Sequence, residues 1–540
     1  MSKGGTMTYT EYLQLPTKEQ FKYRFKDSLS RFGHGFINFF IGIGFFFVNL
    51  VRKIGRSFKE TRYAFKHGDI WTKLSFIFLG ISQIRRGQVF KGICYLVIEL
   101  VFIFYIVAIG GYAIYQLQSL GVVSIHYYCS IDESSIAAGF ENIVFTDQNA
   151  AIAYCTTYGG SEAIYTYTEY GDNSFTIMLF GVLALIIAVV FIAFYHSVIK
   201  KSIEIQERKE AHLYINRAFD DFKELLDKKF YVTLLILPII GLCVFTILPL
   251  IDMILMAFTN YNSTHQYPTS MFSWVGFSNF VNLFSGSNSG DYRFSYTFFN
   301  ILAWTLIWAV LATFLNYFLG MILAMVINKK GIKFKKVWRT CFVLSIAMPQ
   351  FVSLLTWNQF LSVSGMVELL LKQFGWMAST EHVTILDQAY SARIAVVLIN
   401  IWIGVPYTIL TTTGILMNIP ADLYESAQID GASPVTRYFK ITLPYILFVT
   451  GPYLITQFVG NINNFNVIYF LTGGAPYNDA NYLYAGQTDL LVTWLYKLTV
   501  DEQNYSYASV IGIMIFTICA VFSLIAYKNS SAMKDEENFA

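Results

Sequence analysis

The chain has 540 residues, of which 55% are hydrophobic and 18% aromatic, while only 14% are charged and the formal net charge is +3. A mean hydropathy of +0.48 excludes an ordinary water-soluble protein, and the charge balance gives no indication of a nucleic-acid partner. The composition indicates an integral membrane protein that crosses the bilayer several times.

Eight apolar runs reach the roughly 20 residues that a helix needs to cross a bilayer core of about 30 Å. They lie at 90–116, 174–199, 230–257, 298–327, 338–360, 394–418, 444–464 and 506–527. A shorter run, Phe36–Val51, would rise only about 24 Å as a helix. Its basic flanks favour an interfacial helix at an anionic leaflet, and a ninth span is the competing interpretation.

The basic residues predict the side of the membrane that each loop occupies. Placed in the cytoplasm, the segments 1–91, 200–229, 328–342, 419–443 and the C-terminal tail hold 34 of the 38 Lys and Arg residues. The loop at 117–173 has seven acidic residues and no Lys or Arg, which is typical of an exported loop. We therefore expect both termini to be cytoplasmic.

These spans and loops divide the chain into five predicted parts. They are a basic cytoplasmic region at 1–89, two additional spans with their loops at 90–229, a third span and a short external loop at 230–297, a core at 298–527 that contains the loop 419–443, and a cytoplasmic tail at 528–540.

Two of the six cysteines, Cys129 and Cys155, lie in the exported loop. Disulfides persist on that side of a membrane. The sequence is compatible with a bridge between the two cysteines and with two free thiols.

Reactive motifs of enzymes and pumps are missing from the sequence. The chain contains no Gly-Lys dipeptide, so it cannot hold a P-loop, and its seven histidines never fall in an HExxH pattern. Only Glu99 and Asp252 place a carboxylate within a span, whereas ion-coupled transporters are expected to keep ionisable groups near the midplane. The sequence predicts no enzyme activity and no cofactor in this chain, and any ATP that drives it must bind another chain.

The cytoplasmic loop before the seventh span reads "MNIPADLYESAQIDGASPVTRYFKITLP". Asn418 can cap a helix that has Pro420 in its first turn, and Gly431 can end that helix in the left-handed conformation. Ser433 and Pro434 suit the start of a second helix. The loop is therefore predicted to form a short helix, a sharp turn and a helix that continues into the seventh span.

The pattern of Glu425, Ala427, Asp430, Gly431 and Ala432 resembles the EAA loop of permease subunits in ATP-binding-cassette (ABC) importers. The resemblance implies an all-α polytopic fold, the type I importer transmembrane domain with a MetI-like core and about eight transmembrane helices. It also implies that this loop is a coupling helix, with Glu425 docking on an ATPase subunit and Gly431 setting the turn.

Residues 230–527 are similar to the F-type membrane subunit of maltose and maltodextrin importers through "INIWIGVPY", "NINNF", "LTGGAP" and "AGQTDLLVTWLYKLT". In that family two spans hold the sugar midway across the membrane. The matching positions are Asn400, Ile403, Gly404 and Tyr407 on one span, and Gln457, Gly460, Asn461 and Asn464 on the other. Amides and a tyrosine ring suit a sugar, although polar residues also join transmembrane helices.

Two features of this sequence differ from that family. Gly460 stands where maltose-type subunits have an aromatic residue, and the external loop at 258–297 is short.

The resemblance implies a second permease subunit, two cytoplasmic ATPase subunits that bind ATP and Mg²⁺, an external solute-binding protein and a bacterial cytoplasmic membrane. Alternatives are a permease for other oligosaccharides or for glycerol phosphate, an ion-coupled secondary transporter, and a structural or sensory membrane subunit.

Overall fold

The structure, a computed structural model, describes residues 55–130, 144–158, 164–216, 218–267, 271–285, 292–329, 331–383 and 385–528, together with a few positions between 42 and 53. Only these scattered positions of the predicted interfacial helix at Phe36–Val51 are described, so that helix stays a prediction. Within the described residues, eight helices are long and apolar enough to span a membrane, which confirms the predicted number. In chain order these first to eighth spans are Val89–Gln116, Ser174–Glu210, Phe230–Met256, Tyr292–Asn328, Gln350–Gln373, Ala389–Met417, Pro434–Leu471 and Tyr505–Tyr527.

Shorter helices connect or flank the spans. They are Ile70–Leu74, Ile81–Arg85, Gln148–Tyr158, Ala218–Leu226, Ser278–Ser285, Lys335–Ala347, Ala421–Ile429 and Leu491–Val500. One predicted boundary is wrong: the run at 338–360 is not one helix, because Met348 and Pro349 are extended with ψ of 129° and 132°. A residue before proline avoids the helical conformation, so one helix ends at Ala347 and the fifth span begins at Gln350.

A small antiparallel sheet is the exception to the all-α expectation. Its strands are β1 (Val123–Ser130), β2 (Val144–Phe145) and β3 (Ile164–Gly171), in the order β2-β1-β3. Val123 pairs with Gly171 and Ser130 with Ile164. The sheet lies in the loop predicted to be external, so that loop is a folded element.

The chain divides into two compact units. One comprises Gly44–Asn279 with Gln503–Ser509, and the other is formed mainly by Phe280–Glu502 and Val510–Ala540. We call them the N-terminal unit and the core unit.

A buried arginine organises the N-terminal unit. Arg86 donates to Asp69 Oδ1 at 2.7 Å, to Thr72 Oγ1 at 3.0 Å and to the carbonyl of Ser202 at 3.3 Å. Burial acts to raise the pKa of Asp69, but its hydrogen bonds with Thr72 and Arg86 hold that pKa below its usual value. The network fixes the segment before the first span against the second span.

A second contact of this unit involves Glu99 in the first span. Its carboxylate accepts a hydrogen bond from the backbone N–H of Leu79 at 2.7 Å. Gly80 has a φ of +91°, and a Cβ built there would overlap the backbone of Gly92, so the chain crosses the first span at van der Waals distance. Glu99 thus holds a backbone turn, the structural role expected for a single intramembrane carboxylate.

The core unit packs around three tryptophans whose indole N–H groups are all satisfied by carbonyls. Trp304 donates to Thr488 at 3.1 Å, Trp308 to Asn461 at 3.1 Å and Trp494 to Leu483 at 2.8 Å. These bonds tie the fourth span to the seventh span and to the segment that follows it.

A buried ion pair closes that segment. Lys497 Nζ lies 2.6 Å from Asp489 Oδ2 and donates to the carbonyl of Gly473 at 2.7 Å, and the Asp489 side chain is fully buried. Asp489 also accepts from the backbone N–H of Gly486 at 2.7 Å and from Thr493 Oγ1 at 2.8 Å. Every group of the pair therefore has a partner, the condition under which a buried ion pair is tolerated.

We expect Lys497→Met to destabilise the core unit by about 3–5 kcal/mol, because it leaves the Asp489 carboxylate buried without its charge partner. Thermal unfolding of the purified protein in detergent measures the change. Lys336→Met, at an exposed lysine of the same unit, is the control and should leave the unfolding temperature unchanged. Equal unfolding temperatures for Lys497→Met and the control would contradict this role.

Candidate functional site

The loop before the seventh span forms a short helix, Ala421–Ile429, which we call the docking helix. Gly431 follows with a φ of +75°, and the N–H of Ala432 donates to the carbonyl of Ala427 at 2.9 Å. Ser433 then caps the next turn by accepting from the N–H of Thr436 at 3.2 Å. The predicted helix, glycine turn and second helix are confirmed.

The start of the docking helix differs from the prediction. Asn418 ends the sixth span, and Pro420 occupies the N-cap position without a side-chain hydrogen bond. Proline has no side-chain acceptor, so the first turn of this helix relies on Asp422 and on its exposure to solvent.

The outer face of the docking helix combines charge with apolar surface. Glu425 and Asp430 are exposed, and Ile429 leaves 86% of its surface uncovered. Leu423 and Val435 are also largely exposed. Exposed apolar side chains that form a patch with polar residues at its rim are typical of a protein contact surface.

The inner face of the docking helix is joined to the seventh span. Tyr424 Oη and Thr442 Oγ1 are 2.8 Å apart, and Arg437 donates to Gln428 Oε1 at 3.4 Å. Thr442 lies in a π-helical turn, Tyr438–Thr442, from which the long helix of the seventh span continues. These two contacts join the docking helix to the start of the seventh span.

A polar cavity of about 300 Å³ lies among the fourth, sixth and seventh spans and the first residue of the fifth. It is lined by Ala312, Thr313, Asn316, Tyr317, Gln350, Asn400, Ile403, Gly404, Tyr407, Thr408, Tyr453, Leu454, Gln457, Asn461 and Asn464. Seven of the eight residues predicted to hold a ligand are in this lining. Gly460 is not, although a Cβ built at Gly460 would meet nothing within 4 Å.

Two amides of the cavity have unused hydrogen-bonding atoms. Asn316 Oδ1 and Asn400 Nδ2 are buried and have no partner among the described residues, and Asn400 is only 4% exposed. Leaving such a group unpaired costs about 1–3 kcal/mol. An acceptor and a donor next to one cavity are the arrangement that a hydroxyl-bearing ligand would satisfy.

The amides of the seventh span are held in fixed positions. Asn461 Nδ2 donates to Thr313 Oγ1 at 2.9 Å, and Asn464 Nδ2 donates to Asn461 Oδ1 at 3.4 Å. The long helix ends at Ile462, and Asn464 caps the next helix by accepting from the N–H of Val467. The cavity thus lies at a break in a transmembrane helix, where backbone groups can face a polar space.

Two glycines allow the fourth and sixth spans to approach each other closely beside the cavity. A Cβ built on Gly404 would overlap the Asn316 amide, and one built on Gly320 would overlap the side chain of Thr408. Gly404 therefore has a packing role that allows Asn316 to reach the cavity.

The comparisons with known proteins agree with this architecture. The family described as "Binding-protein-dependent transport system inner membrane component" matches residues 316–534. The chain is 33% identical over 372 residues to the maltodextrin transport system permease protein MdxF of Bacillus subtilis (strain 168), an alignment that covers 68% of this chain and 84% of that relative. The chain belongs to this family of ABC importer permeases.

Two further similarities extend the comparison. The permease is 32% identical over 368 residues to the galactooligosaccharides transport system permease protein GanP of the same organism, with 68% of this chain and 85% of the relative covered. The crystal structure of a bacterial ABC transporter involved in alginate import has a TM-score of 0.44 and 25% identity, covering 57% of this chain and 97% of the solved one.

Sequence reasoning missed the fourth span's share of the cavity. Thr313, Asn316, Tyr317 and Gly320 follow one another at steps of three, one and three, so they share one helix face. That spacing was a usable signal, but these residues lie in an apolar run outside the quoted motifs. Gln350 and Tyr453 were also missed.

We expect Asn316→Ala to raise the apparent KM of the permease for its transported substrate about 5- to 30-fold, the effect of losing one hydrogen bond of about 1–2 kcal/mol. Uptake by cells measures the change. Asn300→Ala is a matched control, since Asn300 is on the same span and donates to the carbonyl of Tyr296 in its own helix. An unchanged KM in Asn316→Ala would contradict the assignment.

Proposed function

We propose that this permease carries α-glucan oligosaccharides of the maltodextrin class inward across the bacterial cytoplasmic membrane, powered by ATP hydrolysis on other subunits. The observation that supports the proposal most is the cavity, in which Asn316, Asn400 and Asn461 converge with Tyr407 in a chain one-third identical to MdxF. The substrate site we propose is Asn400, Ile403, Gly404, Tyr407, Gln457, Asn461 and Asn464, with Gly460 at its margin and Asn316 added from the fourth span.

The chemistry of the lining fits a neutral sugar. Asparagine and glutamine both donate and accept hydrogen bonds, which matches the hydroxyl groups around a pyranose ring. Tyr407 is half exposed, so its ring can cover the apolar face of a sugar. The open space at Gly460 would accommodate a longer or wider saccharide than an aromatic residue there would allow.

The alternative substrates, and a coupling ion, would each require particular side chains in the cavity lining. No Lys or Arg is among its lining residues, which argues against glycerol phosphate, and no Asp or Glu is there to bind a coupling ion. A galactooligosaccharide remains the second candidate, because GanP is as similar to this chain as MdxF is.

The proposed assembly has four kinds of partner. A second permease subunit would complete the translocation path, two cytoplasmic ATPase subunits would bind ATP and Mg²⁺, and an external binding protein would deliver the sugar. The charge distribution supports a cytoplasmic position for both termini. The sheet-bearing loop at 117–173 is the proposed external contact, and its Cys155 is disulfide-bonded. The side chain of Cys129, the predicted partner, lies outside the described residues, so the pairing stays a prediction.

In the proposed mechanism the docking helix transmits the ATPase movement. Glu425 would meet a basic residue of the ATPase, while Ile429 would fill an apolar contact beside it. The hydrogen bond between Tyr424 and Thr442 would then pull the start of the seventh span. Asn461 lies near the other end of the long helix of this span. A rigid helix moves as a body, so the cavity would open to the other side of the membrane.

We expect Glu425→Ala and Gly431→Pro to abolish ATP-driven uptake while membrane insertion stays normal. The first removes the docking carboxylate, and the second is incompatible with the φ of +75° at this turn. Glu207→Ala, at an exposed carboxylate outside the loop, is the control for lost charge. Wild-type uptake in both loop variants, measured with equal amounts of protein in the membrane, would contradict the coupling role.

The substrate class is tested by ATP hydrolysis of the purified complex with its binding protein. We expect maltodextrins to stimulate hydrolysis and galactooligosaccharides and glycerol phosphate to have no effect, since the lining is uncharged and is proposed to select an α-glucan. Stimulation by galactooligosaccharides alone would transfer the proposal to the second candidate. Stimulation by glycerol phosphate alone would overturn the sugar site.

A further inference from the structure

A second cavity, of about 510 Å³, lies in the N-terminal unit. It is bordered by the beginning of the first span, the end of the second span and the helix Ala218–Leu226. Its charged lining residues are Lys91, Lys201, Arg208 and Lys229, with Glu204 and Glu224. Lys229 and Glu224 form an ion pair at 3.1 Å, and the lining as a whole retains a positive charge.

The positions of these cations in the sequence indicate how deep in the membrane the cavity lies. Lys91 is the third residue of the first span, and Lys201 is the second residue after the apolar run of the second span, which ends at Ile199. Lysines at the ends of transmembrane helices lie at the level of the lipid headgroups. The cavity therefore opens at the border between hydrocarbon and water.

The neighbouring helix is suited to the same border. Ala218–Leu226 contributes Glu224 and Leu225 to the cavity, while Phe219, Phe222 and Leu226 are exposed, Phe219 by 76%. A helix with aromatic and aliphatic side chains on one side and charges on the other lies in the membrane interface. Its exposed apolar residues would rest among lipid chains next to the cavity.

One wall of the cavity offers an unused acceptor. Gln83 is completely buried; its Nε2 donates to Ser202 Oγ at 3.0 Å, but its Oε1 has no partner among the described residues. Ser202 is in turn fixed by Arg86, which donates to its carbonyl. These two hydrogen bonds hold Gln83 and Ser202 in place, and Gln83 Oε1 can still accept a hydrogen bond.

We propose that this cavity binds the headgroup of an acidic phospholipid that carries a hydroxyl group, of the phosphatidylglycerol type. Lys201 and Arg208 hold the phosphodiester, and a glycerol hydroxyl donates to Gln83 Oε1. Free glycerol phosphate offers similar polar groups, but the depth of the cavity and the apolar face of the adjacent helix favour a ligand with acyl chains. The site joins the first two spans to the inner leaflet and is independent of the transported substrate.

Native mass spectrometry of the purified, delipidated complex during titration with phosphatidylglycerol tests the proposal. We expect the Lys201→Ala, Arg208→Ala double variant to bind this lipid about 25-fold more weakly, because each cation near an anionic headgroup contributes about 1 kcal/mol, or about five-fold. Lys209→Ala is the matched control, since this exposed neighbour on the same helix does not line the cavity, and it should bind as the wild type does. Equal affinity in the double variant and the control would overturn the proposal.

Two comparisons on the wild-type complex test the ligand without any mutation. Phosphatidylethanol has the same charge but no headgroup hydroxyl, so we expect it to bind about ten-fold more weakly than phosphatidylglycerol through loss of the bond to Gln83. Free glycerol 3-phosphate and inorganic phosphate should not displace the bound lipid. Equal binding of the two lipids would overturn the role of Gln83, and displacement by either free phosphate would overturn the lipid assignment.

Discussion

A hydrocarbon interior supplies no hydrogen bonds, so every polar side chain within the membrane must be satisfied by protein or face a polar cavity. Most of the core unit obeys this constraint: Trp304, Trp308 and Trp494 reach carbonyls, and Tyr317 and Thr450 pair at 2.6 Å. Asn316, Asn400 and Thr412 depart from it, each with a buried atom that has no partner among the described residues, and the two amides line the same cavity. The free-energy cost of these two amides is the physical basis for placing a hydroxyl-rich ligand there.

The docking helix and the cavity are connected through packed side chains. Tyr424 binds Thr442, and Tyr438 and Leu443 pack in the cluster that includes Met321 and Tyr317. Tyr317 in turn lines the cavity. The fourth span thus takes part in this path through Met321 and Tyr317, which gives the proposed coupling a continuous route through packed side chains within one unit.

Much of this architecture could be predicted from the sequence because membrane spans and glycine turns follow local rules. Predicting the spans required only hydropathy. Predicting the left-handed conformation of Gly431 required only its place between the end of one helix and the start of the next. The fifth span was misplaced because hydropathy does not register the break at Met348 and Pro349. The spacing of Asn316 with Thr313 and Tyr317 indicates a shared helix face. That this face lines the cavity, and that β1 pairs with β3, depends on long-range contacts, which a single sequence does not specify.

The central claim is that ATP bound by another subunit drives a sugar through the cavity of this permease. Uptake of labelled maltotriose into proteoliposomes that contain the purified complex, its binding protein outside and ATP inside, tests it most directly. We expect uptake that requires ATP and is unaffected by a proton ionophore. Uptake that continues without ATP and collapses when the ionophore is added would contradict it.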